Sequence, residues 1–447
     1  GLGTLSAAYP FGFADPEAAI TALALIARGV SAVMGAGIVA LVYATVLPLA
    51  GRTAGVASAA TVAVSPAFVY YGHTSNVDTP SLFWCALGLF AFGRLVQGRT
   101  ELRHYVLLGF AVGMAAATKE QTVGLFLLVP LSVLALHARR AAPARSRWRA
   151  RAAAVVAPPV LAALAASIAT FTLATHLIFN WQGSVLRFRW RLFGIHPQWG
   201  TDYPFAWIEV SGPLDAVRQA ATHALDAMNP VLFVVALIGA VVLTLRHAWA
   251  RHFLVPLVSY LAFAVLLFDF FRARFVMQLV LVLAIFAGPV LAALAWRATR
   301  SPALAAGLVL VGGYSLAYGA DVDYLLLRDA RYGAERWLAG APSGTTVETY
   351  GNVVYLPRMP RHLAVQHQDV TEENLRGLRD RAPEYVLLTS AHFRHLRPGS
   401  PEQALVERLL RGDFGYHPVR RFATPPMLTP PMIQGLSPEV VVLGGRP

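Results

Sequence analysis

The stretch GHTSNVDTP, residues 72–80, is a short polar break between two long apolar runs. A second break, TKEQ at residues 118–121, comes about 40 residues later and again separates apolar runs. Charged groups such as Asp78 and Lys119 are costly at the edge of a membrane and mark functional sites there. Lys119 is also the only lysine in the chain. If both breaks open on one side of a membrane, they form one charged cluster at that interface.

The composition is that of a chain solvated mostly by lipid. Of the 447 residues, 56% are hydrophobic and 14% are charged, whereas soluble domains carry about 25% charged residues. The net charge of +13 comes from arginines dispersed in short connections between apolar segments. Because these arginines are not gathered on one soluble face, we expect no nucleic-acid partner.

Ten apolar segments approach the length of about 20 residues that a helix needs to cross a bilayer. We therefore predict an all-α polytopic membrane domain over residues 1–320, with about ten transmembrane helices. The first methionine is Met34, so we expect at least one further helix to precede Gly1. The predicted spans are Gly29–Leu49, Ala54–Tyr71, Pro80–Gln97, Tyr105–Thr118, Thr122–Ala138, Ala152–Phe179, Pro230–Leu245, Phe253–Phe271, Phe275–Trp296 and Pro302–Gly319.

The fourth and fifth spans are short and admit two interpretations. They are either one long helix with Lys119 and Glu120 at its centre or a hairpin with these residues at its tip. Two arginines precede the pair of spans and two follow it, at positions 99, 103, 139 and 140. A hairpin places all four arginines on one side of the membrane, so we predict a hairpin.

The arginines also predict the orientation, because cytoplasmic loops are enriched in positive charge. Alternate short loops hold only Lys119, Arg272 and Arg274, so we place these three on the extracytoplasmic face of the cell (inner) membrane. Asp78, Glu120, the loop 180–229 and the region after residue 318 then lie on the same face. The loops in the predicted cytoplasmic set hold Arg52, Arg94, Arg99, Arg103, Arg139, Arg140, Arg145, Arg147, Arg149, Arg151, Arg246, Arg251, Arg297 and Arg300.

The predicted outer loop 180–229 is rich in aromatic and arginine side chains, which settle at membrane interfaces. These side chains either anchor the loop or form one wall of a groove for a lipid substrate. The residues concerned are Trp181, Phe188, Trp190, Phe193, Trp199, Tyr203, Phe205 and Trp207, with Arg187, Arg189 and Arg191.

Charged residues and prolines return over residues 321–447, and the apolar runs shorten to the length of strands. Alternating strands and helices predict a small extracytoplasmic α/β domain in this region. The predicted strands are Thr345–Leu356, Tyr385–Thr389 and Val440–Leu443, and the predicted helices are Arg328–Leu338, Glu372–Asp380 and Glu402–Leu410.

The predicted outer face carries the chemistry of a lipid-linked phosphate site. Asp78 is a candidate base that would activate an acceptor hydroxyl, and Glu120 supplies a second carboxylate. Arginine recognises phosphate with a planar fork of donors, which makes Arg272 and Arg274 candidate phosphate ligands together with Lys119. His73 and Asn76 share the loop of Asp78 and are candidate substrate-binding residues.

Simpler roles stay open for each of these residues. Asp78 would be a favoured N-cap ahead of Pro80, Lys119 and Glu120 would form a solvated hairpin tip, and the arginines would anchor the interface. His73 has no metal-ligand spacing. The sequence contains no metal motif, nucleotide-binding glycine loop or serine-nucleophile elbow, so we expect no metal and no cofactor.

Several short motifs, taken in order, resemble those of the multi-pass C-type glycosyltransferases. RGVSA at 28–32, GR at 51–52, SPAF at 65–68 and NVD at 76–78 are followed by ATKE at 117–120 and RF at 274–275. This clan includes the protein O-mannosyltransferases and the lipid A aminoarabinose transferases. The resemblance extends over about residues 28–289.

The resemblance implies transfer of a sugar from a polyprenyl-phosphate donor to a hydroxyl or amine of a lipid, glycan or protein acceptor, on the extracytoplasmic face. It implies catalytic roles for Asp78 and Glu120 and donor phosphate binding by Lys119 and Arg274, with Arg28 as a further substrate-binding residue. The principal acid of the clan lies in the first outer loop, where DPE at 15–17 matches its acidic pair poorly.

Two other classes of function remain open at this point. A transporter or flippase of lipid-linked sugars would show inverted repeats and broken helices, and the sequence shows neither clearly. A non-catalytic membrane scaffold would use the outer domain to bind a partner. Turnover of a polyprenyl-phosphate sugar separates the enzyme from both.

The predicted orientation is tested by cysteine accessibility in intact cells. With a membrane-impermeant thiol reagent, we expect Asn76→Cys to be labelled and Arg145→Cys to be protected, because the arginine alternation places them on opposite sides. The parent chain, in which Cys85 lies in an apolar run, is the control. Labelling at position 145 but not at position 76 would reverse the assignment.

Overall fold

The structure of the chain is a computed structural model. It describes residues 13, 15–141, 155–186, 210–268, 271–351, 353–394, 396, 398–428, 433 and 435–445. The chain divides into two compact units. The first comprises residues 1–185, 213–268 and 273–319, and the second comprises residues 186–212, 269–272 and 320–447.

Apolar helices build the first unit. In chain order they are α1 (Pro16–Ala50), α2 (Arg52–Ala63), α3 (Pro66–Gly72), α4 (Asp78–Val96), α5 (Leu102–Thr118), α6 (Val129–Ala141), α7 (Pro158–Ala174), α8 (Pro213–Met228), α9 (Pro230–Arg246), α10 (Ala248–Phe263), α11 (Met277–Ala298) and α12 (Pro302–Leu327), which continues into the second unit. Short 3₁₀ helices at Glu120–Leu125, Val265–Leu267 and Ala273–Phe275 interrupt this series.

Six helices in the described residues are long and apolar enough to cross a membrane, or up to eight if each bent pair is one span. The predicted number of about ten is therefore not confirmed. The predicted span Ala54–Tyr71 is broken before Pro66, where α2 and α3 meet at a bend of 63°. Proline removes a backbone donor and disfavours helix in the preceding residue, which explains the break. Helices α5 and α7 have 17 residues each, below the length of about 20 residues that is typical of a bilayer crossing.

The predicted hairpin between the fourth and fifth spans is confirmed. The Tyr105 hydroxyl at the start of α5 lies 3.1 Å from Nδ1 of His137 near the end of α6. In one continuous helix these residues would be roughly 48 Å apart, at 1.5 Å per residue. The chain therefore reverses direction between them, around Lys119.

The predicted outer loop 180–229 contains a helix that the sequence analysis missed. Helix α8 begins with Pro213 in its first turn and buries alanines along one face, and it is followed by α9 at a bend of 116°. The alanine spacing of four residues was masked by the polar residues between them. Trp181 is 64% exposed. The aromatic and arginine residues of the loop at positions 187–209 lie outside the described residues.

Helix α11 forms the centre of the first unit. Its residues Met277–Gly288 are buried on every side. Glycines bring neighbouring helices against it: a Cβ on Gly288 would lie 2.0 Å from Ser58 Oγ of α2, and a Cβ on Gly239 of α9 would lie 2.3 Å from the Phe286 carbonyl oxygen. Small residues at such crossings allow backbones to pack closely in a membrane.

The second unit contains a small five-stranded sheet, consistent with the predicted α/β domain. Its strands are β1 (Thr346–Tyr350), β2 (Ala364–Gln368), β3 (Tyr385–Thr389), β4 (Tyr416–Phe422) and β5 (Val440–Gly445), in the spatial order β2-β1-β3-β5-β4. Strand β1 pairs in parallel with β2 and β3, and β5 pairs antiparallel with β3 and β4. The helices are α13 (Ala330–Ala339), α14 (Glu372–Arg376), α15 (Leu378–Arg381), α16 (Ser390–Phe393) and α17 (Pro401–Arg411).

Helices cover both faces of this sheet. Leu375 and Leu405 pack with one set of alternate strand residues, while Leu338 of α13 packs with the other set. Successive residues of a strand point to opposite faces, so Val386 and Leu387 of β3 belong to different apolar clusters.

The predicted strand Thr345–Leu356 is too long, and two strands were missed. Strand β1 ends at Tyr350 because Gly351 has φ = +95°, a left-handed conformation that favours glycine. Strands β2 and β4 lie at the two edges of the sheet. Edge strands bury few side chains and tolerate proline and charge, so they lack the apolar signal on which the prediction depended.

The close contact at Gly288 predicts that alanine is more destabilising there than at a glycine with open space around it. Gly288→Ala should destabilise the chain by about 1–3 kcal/mol, the usual cost of overpacking, because its Cβ would meet Ser58 and the Ala54 carbonyl oxygen. Gly312→Ala on α12, where a Cβ would have no neighbour within 4 Å, is the matched control and should be neutral or slightly stabilising. Thermal unfolding in one detergent measures both. Equal midpoints for the two variants would contradict the packing at α11.

Candidate functional site

Side chains of the polar break 72–80 form hydrogen bonds with the local backbone, and those bonds do not use the Asp78 carboxylate. The Asn76 side-chain oxygen accepts a hydrogen bond from the Asp78 amide at 3.0 Å, and Thr74 Oγ1 donates to the Tyr71 carbonyl oxygen at 3.0 Å. Asp78 is the first residue of α4, whose N-cap is Val77 with no side-chain hydrogen bond. The interpretation of Asp78 as an N-cap is therefore wrong, because Asn76 bonds the local backbone instead.

Asp78 forms a buried ion pair with Lys119. The Lys119 ammonium donates a hydrogen bond to Asp78 Oδ1. The side chains are 3% and 12% exposed, so little water screens the two charges. This contact joins the two breaks, which lie 41 residues apart in the chain.

The backbone around Lys119 is shaped to hold its side chain in place. Helix α5 ends at Thr118, Lys119 itself is extended, and a 3₁₀ helix begins at Glu120. Thr122 Oγ1 donates to the Lys119 carbonyl oxygen at 2.7 Å. The Thr122 amide donates to the same carbonyl oxygen at 3.0 Å, so Thr122 binds it with both its backbone and its side chain.

Arg274 lies on the 3₁₀ helix Ala273–Phe275, close to Lys119. The Lys119 ammonium nitrogen and the Arg274 guanidinium carbon each lie 5.3 Å from the centre of the Phe275 ring. Such distances allow cation–π contact. The guanidinium is also near enough to repel the ammonium electrostatically. Two cations are thus held beside one aromatic ring.

Arg274 has unused donor capacity. Its Nε is buried and has no hydrogen-bond partner within the part of the chain that the structure describes. A buried donor without a partner costs about 1–3 kcal/mol, and more for a charged group. An anion bound beside Lys119 would remove that cost.

Sequence reasoning missed two polar groups of α10 that contact the segment after Lys119 and the segment that carries Arg274. The Tyr260 hydroxyl of α10 is fully buried and lies 2.7 Å from the Phe275 carbonyl oxygen and 3.0 Å from Gln278 Oε1. Ser259 Oγ donates to the Gly124 carbonyl oxygen at 2.6 Å. The available signal was the presence of Tyr260 and Gln278 in apolar runs, where polar groups are rare and usually partnered.

The other predicted site residues are only partly brought together. Arg28 is exposed within α1. His73 is exposed, and its Nδ1 lies 2.7 Å from the Val69 carbonyl oxygen. Glu120 is half-buried beside Lys119, and Arg272, also half-buried, belongs to the second compact unit. The geometry thus assembles Asp78, Lys119 and Arg274 and leaves direct substrate contacts of the rest as predictions.

No group of three His, Cys, Asp or Glu side chains suited to hold a metal ion is present among the described residues. The cluster around Phe275 instead combines two cations with one buried carboxylate. Its chemistry suits recognition of a phosphate and stabilisation of negative charge.

Comparison with known proteins supports the resemblance stated from the motifs. Residues 20–166, about a third of the chain, match the model of the family described as dolichyl-phosphate-mannose-protein mannosyltransferase. This match confirms the similarity to C-type glycosyltransferases. Together with the apolar helices, it indicates a multi-pass membrane protein. No curated protein matches the chain by sequence.

Solved proteins that are similar in structure include a bacterial and an archaeal protein. ArnT from Cupriavidus metallidurans in the apo state has 12% identity and a TM-score of 0.43, covering 93% of this chain and 83% of that chain. The same protein bound to undecaprenyl phosphate gives a TM-score of 0.44 at 12% identity and the same coverage. The archaeal oligosaccharyltransferase AglB from Archaeoglobus fulgidus, in complex with an inhibitory peptide and a dolichol-phosphate, has 11% identity and a TM-score of 0.40, covering 81% of this chain and 58% of that chain.

The buried ion pair predicts that substitutions of Asp78 and Lys119 have non-additive effects on stability. Asp78→Asn and Lys119→Met should each destabilise the chain by about 3–5 kcal/mol, because each leaves an uncompensated buried charge. The double variant should recover most of the lost stability, since no charge is then left without its partner. Unfolding midpoints of the parent, both single variants and the double variant in one detergent measure the coupling. Additive losses in the double variant would show that the pair is not buried as described.

Proposed function

We propose that the protein is a glycosyltransferase that moves a sugar from a polyprenyl-phosphate donor to a hydroxyl or amine of a lipid, glycan or protein acceptor. The observation that carries the proposal is the pair of cations, Lys119 and Arg274, held at one aromatic ring beside the Asp78 carboxylate. The family match over residues 20–166 supports it independently.

Lys119 and Arg274 are proposed to bind the donor phosphate. A polyprenyl phosphate combines an anionic head with a long apolar chain, and the cluster combines cations with helices of the membrane domain. The planar fork of Arg274 offers two parallel hydrogen bonds to phosphate oxygens, while Lys119 offers a point charge. Arg272, Arg28, His73 and Asn76 remain proposed substrate-binding residues.

Asp78 and Glu120 are the proposed acid–base carboxylates. In transfer, a bond forms between the acceptor oxygen or nitrogen and the anomeric carbon, and the bond from that carbon to the phosphate oxygen breaks. The phosphate leaves with the electron pair, and the acceptor proton passes to a carboxylate. Cations that meet the charge developing on the phosphate lower the barrier.

The Asp78–Lys119 pair suggests how donor binding prepares this step. In the structure, Asp78 is the counter-ion of Lys119. A donor phosphate that engages Lys119 takes over that role and frees the carboxylate to accept a proton. Donor binding would then precede proton transfer from the acceptor.

The reaction is proposed to occur on the extracytoplasmic face of the cell (inner) membrane, with the α/β domain on the same side. The arginine alternation supports this orientation, because the breaks that carry Asp78 and Lys119 fall in the arginine-poor set of loops.

A transporter of lipid-linked sugars is the second candidate. Broken helices favour it, and the structure has two bent pairs, α2 with α3 and α8 with α9. Both classes would bind the donor phosphate, but only the enzyme converts the donor to a free polyprenyl phosphate. Turnover of a polyprenyl-phosphate sugar by the full-length protein in nanodiscs distinguishes the enzyme from the transporter. It also distinguishes the enzyme from a non-catalytic scaffold.

The proposed phosphate site predicts unequal effects of two conservative changes. Arg274→Lys should lower donor affinity and turnover about tenfold or more, because lysine keeps the charge but loses the two-pronged donor geometry. Lys119→Arg should have a milder effect, since a point charge is easier to replace. Donor affinity and turnover are measured for the full-length protein in nanodiscs.

Arg300→Lys serves as the control for these variants. Arg300 also contacts an aromatic ring, with its guanidinium carbon 4.5 Å from the centre of the Trp296 ring, but it lies in a loop predicted to be cytoplasmic. It should behave like the parent. If Arg274→Lys and Lys119→Arg also behave like the parent, the phosphate site lies elsewhere and Arg274 is an interface anchor.

A further inference from the structure

Helix α10 carries two adjacent polar residues, Ser259 and Tyr260, in an otherwise apolar stretch. Both are fully buried. Ser259 contacts the 3₁₀ helix that follows Lys119, and Tyr260 contacts the segment that carries Arg274. This part of α10 therefore lies against the segments that carry both cations of the proposed donor site.

Ser259 fixes the segment that follows Lys119. Its hydroxyl donates to the Gly124 carbonyl oxygen at 2.6 Å and accepts a hydrogen bond from the Leu128 amide at 3.1 Å. The backbones approach so closely here that a Cβ on Gly124 would lie 3.0 Å from Ala264 Cβ. The 3₁₀ helix after Lys119 is therefore held against α10.

Tyr260 fixes the segment that carries Arg274. Its hydroxyl lies 2.7 Å from the carbonyl oxygen of Phe275, the last residue of the 3₁₀ helix, and 3.0 Å from Gln278 Oε1 in the first turn of α11. Gln121 Nε2, two residues after Lys119, lies 3.5 Å from the same hydroxyl. One phenol oxygen thus lies where the two cation-bearing segments meet.

The position of Phe275 links Tyr260 to both cations. The Phe275 ring is 8% exposed, and Lys119 and Arg274 both lie 5.3 Å from its centre. A shift of the Phe275 backbone would move its ring and the adjacent Arg274 together. The hydrogen bond to the Phe275 carbonyl oxygen resists that shift in a setting where water cannot replace it.

We propose that Tyr260 is a positioning residue for the donor site: through the Phe275 backbone it holds Arg274 at the distance from Lys119 at which one phosphate reaches both. This inference rests on the proposed function, since it assumes that the two cations bind the donor phosphate. Tyr260 itself need not touch the donor. Its contribution is geometric, because a bidentate contact tolerates little displacement.

The test removes only the hydroxyl, with Tyr260→Phe in the full-length protein. Tyr105→Phe is the matched control, because Tyr105 is also buried and its hydroxyl also contacts a polar side chain, that of His137. Tyr105 lies 14 residues before Lys119 along the chain, about 21 Å along an ideal helix. Loss of its hydroxyl should affect stability without reaching the donor site.

Hydrogen–deuterium exchange without any ligand tests whether the Tyr260 hydroxyl holds the segment 273–278 in place. In Tyr260→Phe, the peptide that covers residues 273–278 should exchange faster than in the parent, because the turn has lost its anchor. In Tyr105→Phe the same peptide should exchange as in the parent. Unchanged exchange in Tyr260→Phe would overturn the proposal at its structural step.

Binding of undecaprenyl phosphate in nanodiscs examines the positioning role. For Tyr260→Phe we expect Kd to rise about three- to tenfold, the effect of one hydrogen bond, with the same number of sites per protein. Simple loss of fold would instead lower the number of sites and leave the Kd of the folded fraction unchanged. Tyr105→Phe should retain the parent Kd.

The outcomes separate this inference from the proposed function. If the parent binds undecaprenyl phosphate and Tyr260→Phe binds it equally well, the role of Tyr260 is wrong and the donor site stands. If the parent does not bind it, the proposed donor site fails and the role of Tyr260 fails with it. Should Tyr260→Phe not fold, Gln278→Met removes the acceptor that competes for the same hydroxyl proton. The hydroxyl then keeps its bond to the Phe275 carbonyl oxygen, so the parent Kd is expected, and a three- to tenfold rise in Kd would count against the proposal.

Discussion

The ion pair between Asp78 and Lys119 is the interaction on which the membrane unit depends. Moving two charges out of water costs several kcal/mol per ion, and mutual attraction offsets this only when the geometry is good. Each group therefore needs a counter-charge at its position, and in the structure each supplies it to the other. The pair therefore determines where the two breaks meet, and the helices on either side follow: α4 begins at Asp78, and α5 ends just before Lys119.

A neutral pair alone would not attract an anion. Arg274 adds a second cation beside the same Phe275 ring, so the cluster of Asp78, Lys119 and Arg274 carries a net positive charge. Lys119 and Arg274 repel each other at this separation, so other parts of the structure must hold them in place. The rest of the fold supplies the restraint: the central helix α11 begins just after Arg274 and is buried on all sides over its first half, and α10 secures both cation-bearing segments through Ser259 and Tyr260.

The sequence was sufficient to predict the features that have local causes. The polar breaks, the hairpin around Lys119, the clustering of Lys119 with Asp78 and the α/β character of the carboxy-terminal region all follow from apolar runs, charge placement and strand–helix alternation. The predicted number of spans is not confirmed over the described residues, because composition does not show a bend such as the one before Pro66. The edge strands β2 and β4 bury too few side chains to show an alternating apolar pattern in the sequence. The roles of Tyr260 and Gln278 become visible only when α10 and α11 are packed together. Contacts of that kind depend on tertiary structure and cannot be read from neighbouring residues.

The cost of burying a charge without a counter-charge also explains how a buried ion pair can belong to a binding site. A pair sealed by apolar packing would be inert, but here the side chain of Lys119 is more exposed than that of Asp78. Arg274 keeps an unpaired buried donor within the described structure, which favours a ligand that accepts hydrogen bonds from both cations at once. In the proposed donor site a phosphate would do so, and its charge would replace that of Asp78 at Lys119. The free energy gained at Arg274 would then help to offset the cost of separating the pair, and the carboxylate would become available once the donor is in place.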